Sequence, residues 1–90
     1  MKSIIQEDKE CYFCGTELDL HSHHIFPAAN RKNSEKYGLK VWLCGKHHNL
    51  SNDSVHFNSI YMSLLKRIGQ LYFEKTYDED FKSIFRRNYL

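Results

Sequence analysis

The sequence predicts a small α+β domain, a short two-stranded hairpin backed by helices, and three observations predict it. Two pairs of soft ligands, Cys11-x2-Cys14 and Cys44-x2-His47, bracket the first half of the chain. Between the pairs lie two short, strand-like segments, 18–27 and 39–43, joined by a polar stretch. Beyond the second pair the apolar residues change to a helical period. The 90 residues make one domain, 1–90, with no room for two independent cores. A core that small is marginal and needs a staple.

The elements follow in order. Residues 1–10 are charged and read as a flexible, frayed lead. Cys11 to Gly15 forms a knuckle, in which Gly15 lets the backbone turn so that amides face the thiolates. The first strand ends at Pro27, which cannot donate to a ladder. The stretch 28–38 carries Asn30, Arg31, Lys32, Asn33, Ser34, Glu35 and Lys36 and reads as an exposed loop with one helical turn at most. The second strand alternates around Val41 and Trp42, and the two strands pair across that loop. Phe57, Tyr61, Leu64, Leu65, Ile68, Leu71 and Tyr72 form one apolar helical face, read as core. Asp78 is the expected N-cap of a last helix carrying Phe81, Ile84 and Phe85. The chain thus divides into a lead (1–10), a hairpin unit (11–58) and helical support (57–90).

Composition narrows the function classes. Three cysteines cannot all pair as disulfides, and two knuckles with a histidine as the fourth ligand read as a tetrahedral structural zinc site of Cys11, Cys14, Cys44 and His47. No apolar run is long enough to span a membrane and no leader pattern is present, so the expectation is a cytoplasmic chain without a membrane partner. A net charge of +2 does not by itself announce nucleic acid, but Lys82, Arg86 and Arg87 load the last ten residues with basic charge only.

Histidine exceeds what one zinc can use. His23, His24, His48 and His56 remain once the zinc set is filled. Adjacent strand residues point to opposite faces, so His23 and His24 cannot both ligate one ion without distortion. His48 follows His47 by roughly 100° around a helix and points away from the zinc. His23 and His48 are then free to meet at a second metal, with His56 as a third ligand. Imidazoles suit Zn²⁺, Mn²⁺, Ni²⁺ or Co²⁺ better than the harder Mg²⁺. His21 reads as a solvated side chain without a role, and Trp42 and Phe26 as hydrophobic body residues with no claim on chemistry.

The order Cys-x2-Cys, His23-His24-Ile25-x-Pro27, strand, Leu43-Cys44-x2-His47-His48 resembles the HNH endonucleases. The span from Cys11 through Val55-His56-Phe57-Asn58 is similar to small phage-type members, among them RecA-dependent recombination nucleases. The resemblance covers about half the chain. It implies a zinc-stapled ββα-metal (His-Me finger) hairpin plus helix, packed against the C-terminal helices. It implies a metal-dependent endonuclease that hydrolyses DNA phosphodiesters with His24 as general base. His23 and His48 would ligate a catalytic divalent metal (Zn²⁺, Mn²⁺, Ni²⁺ or Mg²⁺), beside the structural Zn²⁺. A further ligand normally follows one turn after His48, where this chain has Asn52, and His56 is its expected replacement. The family's central asparagine, whose carbonyl orients the base, falls at Leu39. Asn30, Asn33 or a backbone carbonyl could take that role.

Arg31 and Lys32 would grip the nucleic-acid backbone near the cut, with Arg86 and Arg87 in non-specific phosphate contact. A domain without its own recognition module would borrow specificity from a recruiting protein, a recombinase or a packaging machine, and takes no small-molecule substrate. The reading from another class is a non-catalytic zinc-ribbon module that binds nucleic acid or protein, a degenerate nuclease included. It needs only the four zinc ligands and a basic surface. A thiol redox protein would need neither Cys44 nor His47.

Overall fold

The computed structural model describes residues 2–50 and 58–90, and they form a small mixed α+β fold. Strand β1 (Leu20–His24) pairs antiparallel with β2 (Lys40–Cys44), and His23 stands opposite Val41 while Ser22 stands opposite Trp42. Facing residues share a side of the ribbon. His21, His23, Val41 and Leu43 therefore lie on one side, and Ser22, His24, Lys40 and Trp42 on the other.

The connection between the strands is a helix and not the expected loop. After a 3₁₀ turn at Ala28–Asn30, helix α1 runs over Arg31–Tyr37 and stops at Gly38, whose φ of 71° supplies the left-handed cap. Polarity hid it, because only Ser34 and Tyr37 are buried. Ser34 compensates for its burial by bracing the corner after β1. Its Oγ accepts from the Phe26 amide at 3.0 Å and donates to the Phe26 carbonyl at 2.9 Å.

The lead also departs from expectation. It lies along the outer edge of β2, where a row of backbone groups would otherwise be unpaired. The Trp42 amide donates to Gln6 Oε1 at 2.8 Å, Ser3 Oγ donates to the Lys40 carbonyl at 2.5 Å, and the Ile4 amide donates to the Gly38 carbonyl at 2.9 Å. Ile4 and Ile5 pack against the core. Charge in residues 7–10 masked this apolar pair.

After β2 the chain makes one turn of π-helix, Lys46–Leu50. Helix α2 (Ser59–Thr76) then starts at Asn58, whose side chain accepts from the Ile60 and Tyr61 amides. Its buried face holds Leu65, Gly69, Gln70 and Phe73, whereas Leu64 and Leu71 are 45% and 54% exposed. The expected stripe is thus rotated, and a glycine sets the rotation. A Cβ on Gly69 would meet the Phe26 ring at 3.0 Å and Ile25 at 3.1 Å, so its absence lets α2 close on the β1 corner. Gln70 is buried because it ties down the C-terminal segment, donating to Asn88 Oδ1 at 2.8 Å and accepting from the Tyr89 amide at 2.7 Å.

Helix α3 (Phe81–Phe85) is capped at Asp80 instead of Asp78, with Ser83 Oγ donating to the Asp80 carboxylate at 2.5 Å. The core it closes is aromatic. Phe81 and Phe85 stack at 4.4 Å, and Phe26 meets both edge-on or tilted, at 5.3 and 4.9 Å. Phe26, expected only to fill space, joins the hairpin to the helices.

Candidate functional site

The two cysteine-containing pairs converge at the end of the hairpin where β2 finishes. Cys11 arrives on the knuckle, closed by Cys11 amide to Thr16 carbonyl and Gly15 amide to Cys11 carbonyl bonds of 2.8 Å each. Gly15 takes a φ of 76°, the left-handed turn expected of it. Cys44 ends β2 and His47 lies in the π-helical turn.

The donor atoms of Cys11, Cys14, Cys44 and His47 all lie within 4.8 Å of one another. Cys14 Sγ is 3.8 Å from Cys44 Sγ, Cys11 Sγ is 3.6 Å from His47 Nδ1, and Cys44 Sγ is 3.3 Å from that same nitrogen. A tetrahedral zinc with ordinary bond lengths needs about 3.8 Å between two sulfurs and about 3.6 Å between sulfur and nitrogen. The three thiols are free. The cluster could hold a metal ion such as zinc.

Electrostatics favour the thiolate at Cys11 and oppose it at Cys44. Burial pushes the Cys11 thiol up, but hydrogen bonds from the amides of Cys44, Cys14 and Phe13 outweigh it and bring the pKa down to about 6. Burial and the neighbouring sulfurs hold the Cys44 thiol above its ordinary value. A bound cation would reverse that balance.

His48 goes elsewhere. It lines a pocket of about 270 Å³ with Ser22, His23, His24, Pro27 and Arg31. Among the described residues β1 has one strand neighbour, so the pocket can lie across its open edge and draw on both faces of the strand. That is how His23 and His24, one residue apart, border the same space. His23 is 3% exposed. The His23 and His48 rings meet edge to face at 5.5 Å.

His24 faces Glu35 of α1, Nε2 to Oε1 at 3.6 Å. Glu35 in turn accepts from Lys40 Nζ at 2.6 Å, and that bond, helped by the Lys40 charge and by His24, lowers its pKa to about 2. The acceptor beside the expected base is therefore a carboxylate. Asn30 and Asn33 are committed elsewhere, donating to the carbonyls of Phe85 at 3.0 Å and Ile84 at 3.3 Å. Leu39 is fully buried, and its carbonyl accepts from the Ile25 amide at 3.0 Å.

His21 is the residue the sequence reading missed. Its Nδ1 lies 2.9 Å from His48 Nδ1, and its Nε2 lies 3.2 Å from Asp19 Oδ1. The signal was available, since His21 and His23 are two apart on a strand and must share a face. Asp19 holds a φ of 52°, a conformation aspartate tolerates better than most residues.

His56, expected as a third ligand, and Asn52 lie outside the described residues. Among the described residues, the Cys/His cluster is the one set of three or more ligand side chains whose donor atoms converge. Arg31 borders the pocket, and Lys32 beside it is exposed. Arg86 and Arg87 are exposed at the end of α3, with Arg87 over the Tyr89 ring at 5.0 Å. The Asn30–Phe85 hydrogen bond ties the segment carrying Arg31 to the one carrying Arg86. No helix of the described residues is long and apolar enough to cross a membrane.

Comparison of the chain with protein-family models, with curated proteins and with solved structures gives no match.

Proposed function

We propose that the protein is an HNH-type endonuclease of ββα-metal architecture that hydrolyses DNA phosphodiester bonds. One observation carries the reading. Three histidines and an arginine, brought from β1, α1 and the π-helical turn, border one open pocket beside a four-ligand cluster suited to a structural zinc. Structural zinc sites are closed, and sites of chemistry keep an open approach.

In this reading neutral His24 takes a proton from water. The water oxygen attacks phosphorus in line, the bond to the leaving 3′-oxygen breaks, and that oxygen leaves with a proton from solvent. Glu35 holds His24 by its side chain, the task the family gives to an asparagine. Arg31 and Lys32 steady the scissile phosphate, and Arg86 and Arg87 contact the backbone beyond it. His23 and His48 are the residues that would hold a divalent metal (Zn²⁺, Mn²⁺, Ni²⁺ or Mg²⁺), with His56 as the further ligand. When bound, it supplies a Lewis acid to the phosphate oxygens. His21, backed by Asp19, engages His48 Nδ1, as an outer partner does for a ligating imidazole. Specificity would come from a recruiting protein such as a recombinase filament or packaging machinery.

The test is nicking of supercoiled plasmid with and without added Mn²⁺ or Mg²⁺, comparing wild type with His24→Ala at equal zinc content. The expected result is metal-dependent nicking that His24→Ala lowers by about 10²- to 10⁴-fold. Equal nicking by both proteins would remove His24 from the mechanism.

A second reading, a non-catalytic zinc-ribbon module that binds nucleic acid or protein, is favoured by the single convergent donor set among the described residues and by Leu39 at the asparagine position. It expects one metal per chain, no nicking, and binding indifferent to His24→Ala.

A further inference from the structure

The side of the hairpin that carries Ser22 and Trp42 borders a second, larger cavity, of about 640 Å³. That volume lies within the range of small-molecule sites, roughly 300–1,000 Å³. Trp42 and Ser22, paired across the strands, form its floor, and the lead supplies a wall through Lys2, Ser3 and Gln6. The wall is built in. Ser3 and Gln6 spend their polar atoms on the backbone of Lys40, Trp42 and Glu10. What remains toward the cavity is an indole ring, with Lys2 and Glu7 on the lead side and the Lys40 ammonium held by Glu35. Lys9 stands over the indole at 4.7 Å but does not belong to the cavity wall.

Its position gives the cavity a use. Ser22 also borders the histidine pocket, so an aromatic cleft and the pocket of His24 and Arg31 meet at a single strand residue. A nucleic-acid strand offers matching chemistry, a phosphodiester linked to a flat base. Paired bases are stacked inside a duplex, and only an unpaired one can turn aside onto a side-chain ring.

We propose that the Trp42 cleft seats one unpaired nucleobase next to the phosphodiester held in the histidine pocket, with the base stacked on the indole. The proposal rests on the nuclease reading for its choice of ligand. It makes a junction, flap or looped-out nucleotide a better substrate than uninterrupted duplex.

Trp42 is the single tryptophan of the chain, so its emission reports on this cleft alone. The His24→Ala protein, zinc-loaded and without added metal, is titrated with a short single-stranded oligodeoxynucleotide, its ribo counterpart, and an abasic chain of equal length. A saturable change in emission with a base-bearing strand but not with the abasic one is expected, and the tighter of the two strands names the source. Anisotropy of a labelled strand should show affinity falling about ten-fold or more in Trp42→Leu and returning in Trp42→Phe, at unchanged zinc content. Equal binding of the abasic chain, an unmoved emission, full affinity in Trp42→Leu or no binding at all would overturn the cleft. Nicking by wild type with a silent Trp42 sinks the cleft and spares the nuclease; base-dependent binding without nicking does the reverse.

Discussion

His47 and His48 are neighbours in the chain and belong to two different worlds. His47 turns into a set of four donors packed to ligand spacing, with Cys11 and Cys44 buried around it. His48 turns to an open pocket on the free edge of β1, where His21 and His23 meet it. The first end is closed and complete within the described residues. The second is accessible and shaped by side chains that hold one another in place. One turn of π-helix does the sorting, a local distortion often found at functional sites. The contrast teaches that a small domain can separate a four-donor cluster from an open pocket by a single peptide unit.

The largest expected effect attacks the closed end. Stripping metal with a strong chelator, or replacing Cys44 by Ser, should abolish the cooperative fold. Zinc in such sites contributes an apparent 10–16 kcal/mol, about the whole stability of a small domain. Circular dichroism against zinc content decides it, and a chelated protein that keeps its helices would make the closed end dispensable.

The next pair of variants sets the adjacent histidines against each other. His47→Ala should lose zinc and structure together. His48→Ala should keep both and lose metal-dependent nicking by about 10²-fold or more. Identical behaviour of the two would collapse the distinction between the ends. His21→Ala should fall on the His48 side, with activity down about ten-fold at unchanged melting temperature, because it acts by orienting His48.

A smaller effect is expected at the crossing of α2. Gly69→Ala must push Phe26 or Ile25, and overpacking of this kind costs about 1–3 kcal/mol, readable as a lowered urea midpoint. An unchanged midpoint would show that the corner yields freely.

The smallest concerns Glu35. Its folded pKa is held down to about 2, chiefly by Lys40, so whatever stability it adds is present above the ordinary carboxylate pKa and drains away as pH falls toward 2. Being exposed, it adds little, so Glu35→Gln should match wild type in melting temperature near neutrality and converge with it further in acid. Nicking should still drop several-fold, since His24 loses its partner. Full activity in Glu35→Gln would leave the base to be oriented by something else.

Much of this was legible in the residues. Ligand spacing gave the four-donor Cys/His cluster, because a tetrahedral site leaves little freedom in the knuckles. Strand alternation put His23 and His24 on opposite faces, and the helical offset separated His48 from His47. What escaped depends on tertiary partners. α1 is almost wholly polar and shows its burial only through Ser34 and Tyr37. The leucine stripe of α2 does not mark its buried face, because the closest approach and the C-terminal anchor choose Gly69 and Gln70 instead. The lead reads as frayed because its charges outnumber Ile4 and Ile5. Glu35 could not be named beside His24 without knowing that the polar connection is a helix packed at that strand, whereas His21 follows from its two-residue spacing to His23.

Gly69 carries one more consequence. The ring and side chain it clears belong to Phe26 and Ile25, the two residues that follow His24 in the chain. A methyl group placed there, on the buried face of α2 and meeting only carbon atoms of Phe26 and Ile25 first, should push the corner that carries His24. Second-site revertants of a damaged pocket should be sought along the buried face of α2, not only around the histidines.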